Sequence, residues 1–441
     1  MNKGPRRRFG PIADGAVVAL PTQPVSEGRL LQIETDQAAE PTDLFYVFAP
    51  PNNLFAHRFS DGQRVWPTQL RLPTESSLEN ETALATRIQN RPPQAKTDGQ
   101  ILITNTETGL HAVGMITGRR LWSIPIEVPA PQQQHIADGS LFDVRDGKVA
   151  VRVSAHQLDV VRVIDGHDRL WSARLQDLII GSVRIAGDRV VAFDYKGTTA
   201  TVFDLHSGKR LFETTIAGGE IEASSPLLLY ATMLCGVQNG ILAGYSLSTG
   251  EMLWHRPVAF AVTRHFEAAN DCGIVGGNEG SVLAFRPNDG TVLYESRIPS
   301  AHFGVSGGYA DDTTLFLFRR KDVNTDSGAI VTVLDLETRL VKWVNPELSL
   351  PLCEKRFFEF LPDDFPVLYP RALTGGANRP EFLEHDKMYV VLMNKHTGER
   401  SGEPFSVPIV NPRQVLIGDL LIRSGRIVIG TNAGVHVLSL P

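Results

Sequence analysis

Short apolar runs alternate with turn residues along the whole chain. In residues 241–258, ILAGYSLSTGEMLWHRPV, the positions Ile241, Ala243, Tyr245 and Leu247 alternate. A Ser-Thr-Gly turn follows, and a second run leaves carrying Leu253 and Trp254. A period of two marks β-strands, and glycine at the turn marks a hairpin. The same phrase recurs with glycine and a following aromatic at Gly62/Trp66, Gly118/Trp122, Gly166/Trp171, Gly208/Phe212, Gly250/Trp254 and Gly290/Tyr294. In a looser copy Arg339 stands in the glycine position before Trp343, and an eighth turn at Gly398 keeps the glycine without the aromatic.

Measured at that glycine or its replacement, the repeats are 56, 48, 42, 42, 40, 49 and 59 residues apart. The central spacing matches the ~40–45 residues of a four-stranded propeller blade. One unit reads as four strands from inside to outside, EIEASSP, LLLYATMLCGV, ILAGYSL and EMLWHRPV; the next reads VTRHFEA, CGIVGGN, SVLAFRP and VLYESRI. The chain is therefore expected to be an all-β propeller of four-stranded antiparallel blades forming one domain. Eight blades is the economical count, with seven to nine allowed. The carboxy-terminal strands lack a fourth member, and residues 1–40 contain strand-like GAVVALPT and GRLLQIE. A ring closed by strands from both termini accounts for both. A tryptophan on an outer strand offers a large apolar area and one N–H, suited to docking on the next blade. That is the role expected for Trp66, Trp122, Trp171, Trp254 and Trp343, and for Phe212 and Tyr294 in the same position.

Two wider spacings locate insertions. Residues 72–99 are polar and carry a capping-box signal for a helix over 77–88. Residues 345–387 are rich in aromatics and prolines, and long loops of this kind are commonly functional. Phe357, Phe358, Phe360, Phe365, Tyr369 and Arg371 form a candidate interaction segment, since interfaces use aromatic anchors with a charged rim. The alternative is that these aromatics cover an exposed blade edge.

Composition narrows the chemistry. A net charge of −6 gives no global attraction to nucleic acid or anionic lipid. The three cysteines, Cys235, Cys272 and Cys353, form no CxxC pair, so neither a disulfide framework nor a zinc site is indicated. Asp322, Asn324 and Asp326 space their oxygens as a calcium loop begins. Ser327 and Val333 stand where that loop needs glycine and a bidentate glutamate, so a polar hairpin loop is the reading and no metal is expected. GIVGGNEGS sits between two strands with no helix to cradle a phosphate. No apolar stretch approaches the ~18 residues of a membrane helix, and Pro11, Asp14, Gly15 and Pro21 break up any signal-peptide core. The amino terminus as written implies a cytoplasmic protein, or an envelope protein if a leader precedes it.

The repeated strand–xTGxxLW phrase resembles the pyrroloquinoline-quinone-like, quinoprotein-type β-propeller repeat over residues 44–440. The resemblance implies one of two branches. Quinone-dependent dehydrogenases of this type resemble one another in a bridged pair of adjacent cysteines, a bound calcium and a catalytic aspartate; no two cysteines adjoin here. The non-catalytic branch is BamB-like, and its lipobox cysteine is not found here either. The expectation is a non-catalytic scaffold that binds a protein or peptide and holds no quinone, calcium or other cofactor. The alternative is a small-molecule dehydrogenase using the central funnel, and a second alternative is a module of a larger envelope protein.

Overall fold

The computed structural model describes residues 29–31, 33–34, 43–49, 53–66, 70–71, 94–106, 109–127, 141–166, 168–195, 199–215, 228–229, 233–238, 240–260, 262–267, 272–277, 281–297, 305–310, 313–320, 329–338, 340–348, 350–351, 361, 363–369, 387–402, 405–408, 420–423, 426–431 and 434–439. Among these residues every regular element is a strand, and no helix is long and apolar enough to cross a membrane. The helix expected over 77–88 lies outside the described residues.

The strands form nine sheets in chain order among the described residues. The third is representative: Phe142–Arg145, Lys148–Ser154, Gln157–Arg162 and Arg169–Arg174 pair in sequence, all antiparallel. Each strand leads to the next through a short turn, which is the cheapest way to pair neighbours. The second sheet adds a fifth strand, Ile33–Glu34, lying parallel to Ala95–Asp98. The ninth has three strands, Leu420–Arg423, Arg426–Thr431 and Gly434–Ser439. One such sheet cannot bury both faces by itself, so neighbours stack. Ile103, Leu110 and Ala112 of the second sheet share a core with Phe142, Val149 and Val151 of the third. The same holds further round, and Phe45, Val47 and Phe59 of the first sheet share a core with Val428 and Val435 of the ninth. The first and ninth sheets thus share one core, and the architecture is a β-propeller.

The structure differs from the sequence reading in four places. First, the described carboxy-terminal strands form a sheet of their own. Arg29–Leu31 joins the first sheet instead, pairing with Tyr46–Phe48, which gives nine sheets among the described residues, at the top of the expected range of seven to nine. Second, LLLYATMLCGV is two strands, Leu228–Leu229 and Met233–Gln238, paired with each other. An apolar run of that length exceeds the five or six residues of an ordinary strand. Third, the polar insertion 72–99 ends in a strand, Ala95–Asp98. Fourth, the insertion 345–387 contributes Leu350–Pro351 and Asp364–Tyr369 to the eighth sheet. Its prolines disguised it, yet Pro366 sits opposite Leu392 within the ladder.

Candidate functional site: the inter-sheet clasps and the outer rim

Each hairpin turn places its glycine at positive φ, from 58° at Gly166 to 78° at Gly250, a conformation that costs a residue with Cβ about 1–2 kcal/mol. Conformation is the lesser of its two requirements. A Cβ on Gly118 would lie 2.6 Å from Cδ2 of Trp66, and one on Gly166 would lie 2.2 Å from Cδ2 of Trp122. Gly208 meets Trp171, Gly250 meets Phe212, Gly290 meets Trp254 and Gly398 meets Trp343 in the same way. The aromatic of one repeat therefore lies flat on the turn glycine of the next.

The indole N–H completes each clasp. Trp66 donates to the carbonyl of Met115 at 2.8 Å, Trp122 to Val163 at 2.7 Å and Trp171 to Leu205 at 2.9 Å. Trp254 donates to Pro287 and Trp343 to Lys395, both at 2.8 Å. In every case the acceptor lies three residues before the glycine. A register shift explains how the ring reaches across. It falls directly after the residue opposite the aromatic, at Ala112/Val113, Val160/Val161, Val202/Phe203, Gly244/Tyr245, Ala284/Phe285 and Val333/Leu334. Such bulges raise the local twist and re-aim side chains. Tyr294 holds the equivalent place and packs against the core of the sixth and seventh sheets; Arg339 lies outside the described residues.

Nearer the axis a polar link joins three sheets. Lys96 Nζ lies 2.7 Å from Asp143 Oδ1, with both side chains 8% exposed. Asp143 Oδ1 also accepts the Val144 N–H, and Oδ2 accepts the Ile185 N–H of the fourth sheet at 2.6 Å. A buried ion pair with its lone pairs occupied loses about 3–5 kcal/mol when one partner is removed. No sequence signal marked it, because AKTD reads as part of a polar insertion. His111, buried in the second sheet, hydrogen-bonds Thr106 Oγ1 through Nε2 and Ser123 Oγ through Nδ1, both at 2.9 Å. Burial, with Arg120 adding, holds its pKa down to about 4.

The candidate interaction segment is corrected at its centre. Phe365 is fully buried, stacked on Trp343 with centroids 6.3 Å apart and planes 6° from parallel, and edge-on to Phe316. It is a core residue of the seventh and eighth sheets, because its strand is an integral member of the ladder. Tyr369 ends that strand, and Phe357, Phe358, Phe360 and Arg371 lie outside the described residues. So do Asp322, Asn324 and Asp326 of the calcium-like loop, which does connect two paired strands, Thr314–Arg320 and Ala329–Asp335. Cys235 and Cys272 are buried in separate cores, and burial pushes each thiol up to about 12. Among the described residues no group of three His, Cys, Asp or Glu side chains is placed to hold a metal ion.

A surface feature went unread in the sequence. Of the ten large hydrophobics exposed among the described residues, eight lie on outer strands or on the turns leading into them. Met252, Leu253 and Leu121 are on outer strands; Leu340, Val341 and Val344 are on or beside Val341–Leu348; Ile116 and Ile164 are in the turns. The signal was present in Met252-Leu253 and Leu340-Val341. Two adjacent apolar residues on an edge strand cannot both face one side of the sheet.

A family model described as "Outer membrane protein assembly factor BamB" matches residues 19–155 and again 146–272. No curated protein matches the chain. Among solved structures, BamB from Moraxella catarrhalis is similar at 13% identity, covering 63% of this chain and 79% of that one, with a TM-score of 0.42. Saccharomyces cerevisiae Sqt1 is similar at 13% identity over 87% of this chain and 97% of its own, with a TM-score of 0.48. A europium-containing methanol dehydrogenase is similar at 13% identity over 83% of each chain, with a TM-score of 0.44.

Proposed function

Since the chain belongs to the PQQ-like family whose model is described as outer membrane protein assembly factor BamB, we propose that it is a non-catalytic β-propeller scaffold binding a protein partner on its outer rim. The observation that carries this reading is the gathering of exposed apolar side chains on outer strands and turns. Surface hydrophobics scattered singly need no explanation, but their concentration on one kind of element does. Outer strands also present unpaired backbone groups, so a partner can bury apolar area and extend the ladder together. The interior supports the same reading. The Asp143 carboxylate is engaged by the Lys96 ammonium and by the backbone N–H groups of Val144 and Ile185, and the two described cysteines sit in separate cores. On this reading the protein needs no cofactor.

The test compares the native chain with Met252→Glu/Leu253→Glu and Val341→Glu/Val344→Glu as baits, identifies captured proteins, and measures binding with the purified partner. A native-like melting temperature with partner binding weakened at least about tenfold, roughly 1.4 kcal/mol, supports the rim. Undiminished binding by both variants overturns it. Melting in added pyrroloquinoline quinone with Ca²⁺ tests the enzymatic alternative. Saturable stabilisation growing with the logarithm of ligand concentration would overturn the cofactor-free reading.

A further inference from the structure

The turns that lead into the outer strands are one structure repeated. In each, the glycine N–H donates to the carbonyl four residues before it: Gly118 to Gly114, Gly166 to Arg162, Gly208 to Asp204, Gly250 to Ser246 and Gly290 to Arg286. Residues at the same offset from the glycine therefore take the same place on the turn, and a change in their chemistry is a change in the surface. Two before the glycine stand Ile116, Ile164 and His206 in the second to fourth sheets, then Ser248 and Asn288 in the fifth and sixth. One after it stand Arg119 in the second sheet and Lys209 in the fourth, against Glu251 and Thr291 in the fifth and sixth. The arc from the second sheet to the fourth is apolar and basic where the next arc is polar and acidic.

The cations of this arc also lack counter-charges. Arg162, Arg169 and Arg210 do have them, at 2.9 Å from Asp168, 3.0 Å from Asp159 and 2.7 Å from Glu213. Among the described side chains, the lysines and arginines with no carboxylate, carbonyl or ring against them are Arg119, Arg120, Arg174 and Lys209. All of these are exposed, and all lie on turns or outer strands of the second to fourth sheets. The carboxylate beside Lys209 is already occupied, because Asp204 Oδ1 accepts from Ser207 Oγ and from the N–H groups of His206 and Ser207. The turns adjoin one another: Trp122 of the second sheet rests on Gly166 of the third, and Trp171 of the third rests on Gly208 of the fourth.

We propose that this arc, formed by Ile116, Arg119, Arg120, Leu121, Ile164 and Lys209, docks an acidic, extended segment of a protein partner. The inference rests on the rim reading above and adds the partner's chemistry. Carboxylates of the segment supply the counter-charges that the chain itself withholds, and like charges on any other partner are repelled. Ile116, Leu121 and Ile164 are 54%, 42% and 73% exposed between those cations, and apolar residues of the segment cover them. Arg120–Pro125 is the last strand of its sheet, so an extended segment also finds backbone groups to pair with. A nucleic acid fits less well. The chain's net charge of −6 opposes a polyphosphate beyond the arc, and the exposed isoleucines and leucine offer a phosphate nothing.

The experiment uses the full chain and three probes: a synthetic peptide of glutamates interrupted by leucines, its lysine counterpart, and a single-stranded DNA oligonucleotide. The glutamate peptide should bind at low ionic strength and weaken as salt is added. Arg119→Glu/Arg120→Glu should weaken it at least about tenfold and melt at the native temperature, since neither side chain has a partner to lose. Arg119→Lys/Arg120→Lys should retain binding. Lys209→Glu, on a different sheet, should weaken it too and guards against misfolding of the double variant. Four results overturn the proposal: equal binding of the lysine peptide, DNA binding as tight as that of the glutamate peptide, self-association of the chain that the arginine-to-glutamate variant abolishes, and peptide binding that none of these substitutions changes. The rim reading is tested apart from it with a captured partner. A partner lost by Met252→Glu/Leu253→Glu but held at native strength by Arg119→Glu/Arg120→Glu keeps the rim and overturns the acidic arc; a partner held at native strength by every variant overturns both.

Discussion

The joint between the first and second sheets and the joint between the fourth and fifth are built on the same contact and finished differently. At the first, Trp66 is 1% exposed and donates its N–H to Met115. At the other, Phe212 is half-buried and has no donor to offer. In both, a Cβ on the turn glycine would stand 2.6 Å from Cδ2 of the ring. The flat seat of ring on glycine therefore does not depend on the hydrogen bond. Backbone geometry, set by the turn and the bulge, brings the ring into place, and the indole N–H then satisfies a carbonyl already waiting there.

The comparison can be broken most forcefully at Trp66. Trp66→Ala should cost about 3–5 kcal/mol, read from the denaturant midpoint. A loss under about 1 kcal/mol would mean that the clasp is peripheral. Phe212→Ala should cost less, because its ring is less deeply buried.

The glycine side is the next largest. Gly166→Ala adds a steric overlap with Trp122 to the strain of positive φ and should cost about 3 kcal/mol. Gly147→Ala has a φ of 73° with nothing within 4 Å of the new Cβ, and should cost only about 1 kcal/mol. Equal losses would assign the glycine's importance to conformation alone.

Acid attacks the strand that carries a clasp. His111 holds Ser123, next to Trp122, and its pKa falls from 6.5 to about 4 in the folded chain. Between those values the unfolded chain takes up a proton that the folded chain refuses. Stability from this group is therefore full above pH 6.5 and declines as pH drops towards 4, by up to about 3 kcal/mol. Burial lowers His57 and His436 too, so the same sign is expected from them. His111→Gln should flatten the profile by one histidine's share, measured as unfolding free energy against pH; an unchanged slope would reject the assignment.

The smallest effect isolates the hydrogen bond. Trp66→Phe keeps a ring on Gly118 and leaves the Met115 carbonyl without its donor, at a cost of about 1–3 kcal/mol. Phe212→Trp should be neutral or stabilising by up to about 1 kcal/mol if the Leu247 carbonyl, three residues before Gly250, accepts the new N–H. Destabilisation there would show that the fourth sheet has no room for an indole.

The clasp residues could be named from the chain alone because a hairpin is a local event. Glycine at positive φ and an aromatic four or five residues later are set within one turn, and repetition multiplies the signal. Phe365 was misread for the opposite reason. Phe365 looked like an interface anchor because prolines and charges surround it in sequence, while in the fold its strand lies between two others and its ring meets Trp343 and Phe316. The outer-rim hydrophobics were passed over because an apolar residue in a strand is ordinarily assigned to the core.

Local order, then, was the sequence's own to determine: strands of five or six residues, tight glycine turns, an aromatic at a constant place, and an all-β repeat architecture. Tertiary structure alone decided that each aromatic rests on the following repeat's glycine and that its N–H finds the carbonyl three residues earlier. It also decided that Lys96 and Asp143 lock together and that Phe365 is core. Those contacts join residues 22 to 55 positions apart, and a side chain's own sequence neighbourhood reads the same whether a partner covers it or water does.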